Sequence, residues 1–296
     1  MSCAIIVLNY NDAEVTLRYL DTIKDYRFCD HIIVVDNAST DGSVDILRPY
    51  CLNNGLDFIA SKENKGYSRG NNIGAFYAIN HYDPDYLIIS NPDIICSEDS
   101  IKTILDSFSI NEDVAVVTGL IHVFNEAHNA VPYKYFAYKV PTLRDYMLNC
   151  LLVSTKFRKD IMHKSMYYDY NDVIRRGSIN VGAVSGCFFA IKASSFREIG
   201  GFDEDVFLYN EEAILGKKLQ EKDLKLMVIN APIIHDEKQD KHKGLKKRYI
   251  THTRIQKSAL IYLKKYLGAG NLECALFVVL NSFGFAERYL LSLIRR

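Results

Sequence analysis

The sequence predicts an α/β fold, a Rossmann-like and mostly parallel sheet flanked by helices, and three observations carry that prediction. Residues 3–8, 32–35 and 86–90 are short continuous apolar runs, the composition of strands buried on both faces. Segments of helical periodicity stand between them, at the spacing of β-α-β units. The runs also end in Asn, Asp and Ser, at the strand ends where open α/β sheets hold their ligands.

The first run breaks at Asn9-Tyr-Asn-Asp12, and Asn11 or Asp12 is expected to cap a helix whose apolar positions are Leu17, Leu20 and Ile23. The second run ends at Asp36. A loop rich in capping residues follows, then a helix with Val44, Leu47 and Cys51 on one stripe. A third strand near 58–60 precedes Asn64-Lys-Gly-Tyr-Ser-Arg-Gly-Asn-Asn-Ile-Gly74. Gly66, Gly70 and Gly74 are four apart, so a helix puts them on one face, close either to a strand or to a nucleotide. Neither Gly-x-Gly-x-x-Gly nor the P-loop pattern occurs, which disfavours dinucleotide and P-loop sites.

The fourth strand runs into Asn91-Pro92-Asp93. Proline donates no ladder hydrogen bond, so the strand should stop there and leave Asp93 at its carboxyl end. Beyond it the pattern predicts a helix near 100–108, a strand at 114–118, a tyrosine-crowded stretch with a helix after Pro141-Thr142, and one strand over 182–191. A helix carrying Leu215 and Leu219 follows, then a last strand over 226–229 that runs through Pro232 to His235. Three parts result: 1–98 and 99–240, two halves of the same domain, and 241–296, a basic helical extension.

Composition narrows the function. Lys plus Arg and Asp plus Glu each number 36 in 296 residues, so no global field draws the chain to nucleic acid. The seven cysteines are scattered and never form Cys-x-x-Cys, which fits buried thiols in a reducing compartment. No uninterrupted apolar run reaches the ~18 residues of a membrane span, and no signal peptide opens the chain, so a cytoplasmic protein is expected. The segment 241–296 combines basic residues with Tyr249, Ile255, Leu260, Leu263 and Leu267 near helical spacing. It is expected to touch the inner face of the cell membrane, or to pack on the domain or on a second subunit of a homo-oligomer.

Five stretches together resemble the inverting GT-A glycosyltransferases of family 2 that build bacterial surface polysaccharides. They are residues 32–43, the Asn64/Gly66/Asn71/Gly74 helix start, Asn91-Pro92-Asp93, Gly200-Gly-Phe-Asp203 and Tyr209-Asn-Glu-Glu212, in order along 1–240. The resemblance implies a GT-A fold and a UDP- or dTDP-sugar donor gripped by Asn9, Asn11, Asp36, Gly66, Asn71 and Asn91. It implies Mg²⁺ or Mn²⁺ on Asp93 and His235, with Glu212 as general base and Glu211 beside it. The acceptor it implies is a lipid-linked glycan. Three positions depart from the family pattern: Asn91 stands where the first acid of the metal motif is usual, as in the Asn-Pro-Asp branch of the family, Ile214 where a further acid is usual, and Lys218 where an arginine is usual.

The chemistry fits these residue types. Charge grows on a departing diphosphate, and a hard cation held by one or two carboxylates can meet it. A hydroxyl proton must also leave, and one positioned carboxylate with no enzymic nucleophile implies direct displacement with inversion. A sugar-nucleotide pyrophosphorylase would want a Gly-rich basic loop after the first strand, where this chain has Asn9-Tyr-Asn-Asp12. A non-catalytic nucleotide-sugar-binding protein is the other alternative, should the acid replaced by Ile214 be essential.

Overall fold

The computed structural model describes residues 1–109, 112–151, 166–237 and 244–294. Lys241, Lys243 and the expected boundary at 240/241 lie outside the described residues. Strands β1 (Cys3–Asn9), β2 (His31–Asp36), β3 (Asp57–Ala60) and β4 (Tyr86–Ser90) form the parallel half of the sheet, in the order β3-β2-β1-β4. Helices α1 (Ala13–Ile23), α2 (Ser43–Asn53) and α3 (Tyr67–Tyr82) are the crossovers. Every residue of β1 except Leu8 is buried, as expected of a strand covered on both faces.

The second half adds β5 (Ile94–Cys96), α4 (Glu98–Asp106), β6 (Val114–Phe124), β7 (Ala130–Pro132), β8 (Ala137–Tyr138) and α5 (Leu143–Asn149). It continues with α6 (Tyr170–Arg176), β9 (Ser178–Val181), β10 (Ala183–Val184), β11 (Phe188–Lys192), α7 (Ala193–Glu198), α8 (Glu211–Gln220) and β12 (Lys225–His235). From β4 the sheet continues β11-β6-β12-β5, with β11 antiparallel to both its neighbours and β6 parallel to β12. The result is a mixed, mostly parallel α/β sheet. Helices α9 (Leu245–Leu267) and α10 (Asn271–Ile294) form the C-terminal extension.

Several local expectations change. Neither Asn11 nor Asp12 caps α1 through its side chain. Asn11 takes a left-handed backbone at φ 53°, and its Oδ1 instead accepts from Thr40 N at 2.7 Å. The strand expected over 182–191 is two strands, because the chain turns at Ser185-Gly186-Cys187. There β10 leaves to pair with β8 while β11 enters the main sheet. The criterion of an unbroken apolar run also misses α10. Asn281 and Ser282 interrupt it, yet Asn271–Leu293 has a mean hydropathy of 1.3 and is long and apolar enough to cross a membrane by length and composition.

Two of the three glycines resolve in favour of packing. A Cβ on Gly70 would lie 2.5 Å from Leu8 Cδ1, and one on Gly74 would lie 2.6 Å from Ile6 Cγ2 and 2.9 Å from Val35 Cγ2. Helix α3 therefore lies against β1 and β2 at a distance only glycine permits. Asn72 continues the same role, donating to Phe202 O and accepting from Phe202 N at 3.0 and 2.9 Å.

The extension is built into the body. Ser258, Ala259, Tyr262 and Leu263 of α9 are buried, and Tyr262 Oη donates to Pro141 O. Asp203, 7% exposed, takes Lys265 Nζ at 2.8 Å and Tyr266 Oη at 2.5 Å. Burial alone would raise the Asp203 carboxyl, but these two partners hold it below the usual range. Gly74→Val is expected to destabilise by about 1–3 kcal/mol through overpacking. Urea unfolding checks this, with a lower midpoint at an unchanged slope.

Candidate active site

Asp93 follows Pro92, which closes β4, and β5 begins immediately after it. Strand β12 pairs antiparallel with β5, placing His235 opposite Ile94, and Asp236 N donates to Asp93 O at 2.9 Å. The side chains meet as a consequence: His235 Nε2 lies 3.3 Å from Asp93 Oδ1. That oxygen is buried, and among the described residues no hydrogen bond reaches it. Burial works against charging His235, but Asp93 and the Cys187 thiol overcome it and raise the imidazole to about 10. The two form a half-buried ion pair around one buried carboxylate oxygen. An acidic oxygen left open beside an imidazole is a donor set that suits a divalent cation completed by phosphate and water. Imidazole favours Mn²⁺ over Mg²⁺.

Asp93 stands where two cavities meet. One, about 350 Å³, is lined by Leu8, Tyr10, Asn37, Asn64, Gly66, Tyr67, Asn91, Phe207 and Arg254 among others. The other, about 420 Å³, is lined by Asp12, Val15, Arg18, Tyr19, Ile95 and Glu237 among others. These volumes suit small-molecule sites. Gly66, with φ 99°, presses against the backbone of Phe207, and Tyr67 N donates to Phe207 O at 2.8 Å. Glycine is required there by both the dihedral and the contact.

The residues expected around a donor divide into two groups. Gly66 and Asn91 line the first cavity. Asn9 and Asp36 are fully enclosed beneath it: Asn9 Nδ2 donates to Asp36 Oδ2 at 2.8 Å, and Ser39 N donates to Asp36 Oδ1 at 2.9 Å. In this conformation they shape the loop after β2 rather than face the cavity. Asn11 ties the same loop through Thr40. Asn71, 1% exposed, donates to Tyr67 O inside α3 and lines neither cavity, so here it serves the helix. Two lining residues were not picked out by the sequence. Tyr10 is half exposed at the cavity, and Arg254 reaches it from α9 across the Phe207 ring at 4.9 Å. Arg254 was hidden in a basic run; its helical register with buried Ser258 and Tyr262 is the signal that could have found it.

Glu212 opens onto a third cavity of about 800 Å³. Tyr133, Tyr135, Tyr138, Tyr146, Tyr167 and Tyr209 line it, so the crowded tyrosines converge. Three features hold Glu212. Gly186 N donates to its Oε1 at 3.3 Å, while Gly186 O accepts from Tyr67 Oη at 2.6 Å. A Cβ on Gly186 would come within 2.8 Å of that Oε1. The residues before α8, Tyr209 and Asn210, both have left-handed backbones at φ 72° and 67°, a strained arrangement that aims the helix start. Asn210 Oδ1 is pinned by Tyr146 Oη. Glu211 turns the other way, 6% exposed, with Oε2 lacking a hydrogen-bond partner among the described residues.

Burial pushes both carboxyls above the usual glutamate range, and Glu212 raises Glu211 further. The unfolded chain ionises near 4.5, whereas the folded chain keeps these protons to higher pH. Stability is therefore lost as pH rises through the raised folded values, and the whole cost is present above them. Glu212→Gln keeps the oxygen that accepts from Gly186 and removes the charge. It is expected to melt a few degrees above wild type at pH 8, about 1 kcal/mol, with the difference closing toward pH 4.5 in scanning calorimetry.

The departures from the family pattern also find places. Ile214 is buried with Val206, Ala213 and Tyr262, in the apolar contact between α8 and α9. Lys218 Nζ donates to Ile199 O and Gly201 O at 3.1 and 2.7 Å, clamping the Gly200-Gly201 turn.

Comparison with known proteins identifies the family and the fold. The family model described as glycosyl transferase family 2 matches residues 4–200. The chain is similar to rhamnosyltransferase WbbL of Escherichia coli K12, 24% identical over 277 residues, 91% of this chain and 96% of that one. It is also similar to the hexosyltransferase Agl10 of Haloferax volcanii, 29% identical over 33% of this chain and 30% of that one. Among solved structures, GalNAc-T7 with UDP, GalNAc and Mn²⁺ superposes with a TM-score of 0.66 at 13% identity, over 88% of this chain but only 47% of its own. The mannosyltransferase PcManGT from Pyrobaculum calidifontis, with GDP-Man and Mn²⁺, gives 0.57 at 14% identity, over 96% of this chain and 75% of its own. The chain belongs to glycosyl transferase family 2 and has the GT-A fold.

Proposed function

We propose that the protein is a metal-dependent, inverting glycosyltransferase that moves a hexose or deoxyhexose from a UDP- or dTDP-sugar to a hydroxyl of a lipid-linked surface-glycan intermediate. The observation that carries this reading is the unsatisfied Asp93 oxygen beside His235, at the junction of two ligand-sized cavities. Asp93 and His235 are the residues that would hold Mg²⁺ or Mn²⁺, whose charge stabilises a departing diphosphate. Arg254 adds a fixed positive charge on the cavity wall, suited to diphosphate oxygens. Tyr10 offers a ring for the base.

Glu212 takes the proton of the acceptor hydroxyl. The hydroxyl oxygen bonds to the anomeric carbon as that carbon's bond to the diphosphate oxygen breaks, and the electron pair leaves with the diphosphate. Burial raises Glu212, which makes it a stronger base than an exposed glutamate. The tyrosine cavity presents aromatic faces and hydroxyls together, a surface suited to sugar rings. Full-length similarity to a protein named rhamnosyltransferase supports the sugar class, and Mn²⁺ and UDP or GDP-Man in the solved relatives support the donor chemistry. The alternative of a non-catalytic binding protein rested on Ile214. Its side chain is packed in the α8–α9 contact, so an acid there would not line the tyrosine cavity.

Three variants test the assignment with calorimetric UDP binding in Mn²⁺ and a transfer or donor-hydrolysis assay. Glu212→Gln is expected to bind UDP as wild type does while kcat falls about 10²–10⁴-fold. Asp93→Ala is expected to lose the Mn²⁺-dependent part of UDP binding. Arg254→Ala is expected to weaken UDP binding about 10-fold, the scale of one charged hydrogen bond. Unchanged turnover in Glu212→Gln, or unchanged Mn²⁺ dependence in Asp93→Ala, would remove those residues from the site.

A further inference from the structure

Helix α10 is fastened to the protein along one side and bare along the other. On the fastened side Cys274 and Phe277 are 5% and 3% exposed. Gly284 lies so close to Cys150 O that a Cβ would sit 1.8 Å away, and Arg288 Nη1 donates to the same carbonyl at 3.2 Å. On the bare side Leu272, Leu276, Val279, Phe283 and Leu290 are between 50% and 84% exposed. Their steps of four, three, four and seven residues keep them on one stripe. Of the positions between them, Ala275, Ser282 and Ala286 bring no charge, and the half-buried Glu287 stands at the edge of the stripe. The stripe extends about 27 Å at 1.5 Å per residue.

That is far more contiguous apolar surface than scattered exposed leucines. A membrane-crossing helix exposes every side to lipid or to other helices across the bilayer. This one is held against α5 and α9 over its length, so it can offer lipid a single face and lie in the interfacial plane. Charge identifies the occupant. Helix α9 contains seven Lys and Arg and no acid. Lys246, Lys257 and Lys264 are exposed and, eleven and seven residues apart, share one stripe. Pairing two copies of this hairpin face to face would bring two such cationic sets together, whereas anionic headgroups neutralise one.

We propose that the outward face of α10, flanked by the cations of α9, seats the protein flat on an anionic lipid surface. Ile255 of α9 lines the tyrosine cavity, and Tyr146 of α5 lines it while packing on Phe277 of α10 at 5.9 Å. Lipid docking therefore holds that cavity beside the headgroups, where a lipid-carried acceptor arrives. This last step rests on the glycosyltransferase reading; the docking itself does not.

The test is co-sedimentation of the full-length protein with vesicles of phosphatidylcholine alone or with one quarter phosphatidylglycerol, without donor or acceptor. Wild type is expected to bind the anionic vesicles at least about 10-fold more tightly. Val279→Asp/Phe283→Asp is expected to lose about 10-fold or more of that binding. Lys246→Glu/Lys257→Glu/Lys264→Glu is expected to lose the preference for phosphatidylglycerol. All these positions are exposed, so circular dichroism and the melting midpoint should not move. Wild type left in the supernatant, or an aspartate variant that pellets like wild type, overturns the proposal. So does a dimer in light scattering that the aspartate variant converts to monomer, which assigns the face to a second copy. Because binding is read without turnover, its failure leaves the transferase assay untouched, and the reverse holds too.

Discussion

A buried carboxylate oxygen that accepts no hydrogen bond from the described residues is expensive, and the arrangement around Asp93 exists in spite of that expense. Proline ends β4, so the next residue leaves the ladder with its side chain at the strand tip. The antiparallel pairing of β5 with β12 then delivers His235 to the same point. An imidazolium offsets the charge in the absence of a cation, and the two cavities open on either side. Remove the β5–β12 register, and the acid and the imidazole separate.

A second constraint governs Glu212. Glycine at 186 leaves room for the carboxylate, Tyr67 fixes the turn from behind, and two consecutive left-handed residues aim α8. The turn 185–187 also connects the two halves of the site, since Ser185 lines the tyrosine cavity while Cys187 O accepts from Asn91 N at 2.8 Å. Strain and buried charge are concentrated where chemistry is expected, and the sheet beneath supplies the rigidity that maintains them.

Much of this was legible in the sequence. Buried parallel strands read as unbroken apolar runs, and the break at Asn91-Pro92-Asp93 marks the strand tip by covalent chemistry alone. The tyrosine-crowded stretch was plain in the sequence, although not that five of its rings share one cavity with Tyr209 and Glu212. Other features depend on contacts distant in the chain. Arg254 looked like one cation among many until α9 was seen to dock through Ser258 and Tyr262, and the burial of Asp36 follows from Asn9 and Ser39 folding over it. Asn71 sits on the inner side of α3, a rotation that glycine spacing alone left open. The apolar face of α10 escaped a search for unbroken runs because two polar residues interrupt a stripe that is continuous only on the helix surface.

Anomalous diffraction from crystals grown with Mn²⁺ and UDP tests the central claim most directly. The account predicts one strong manganese peak coordinated by the Asp93 carboxylate, with His235 turned to the metal and the diphosphate of UDP completing its shell. A nucleotide bound elsewhere, or a manganese peak remote from an intact Asp93–His235 pair, would contradict it.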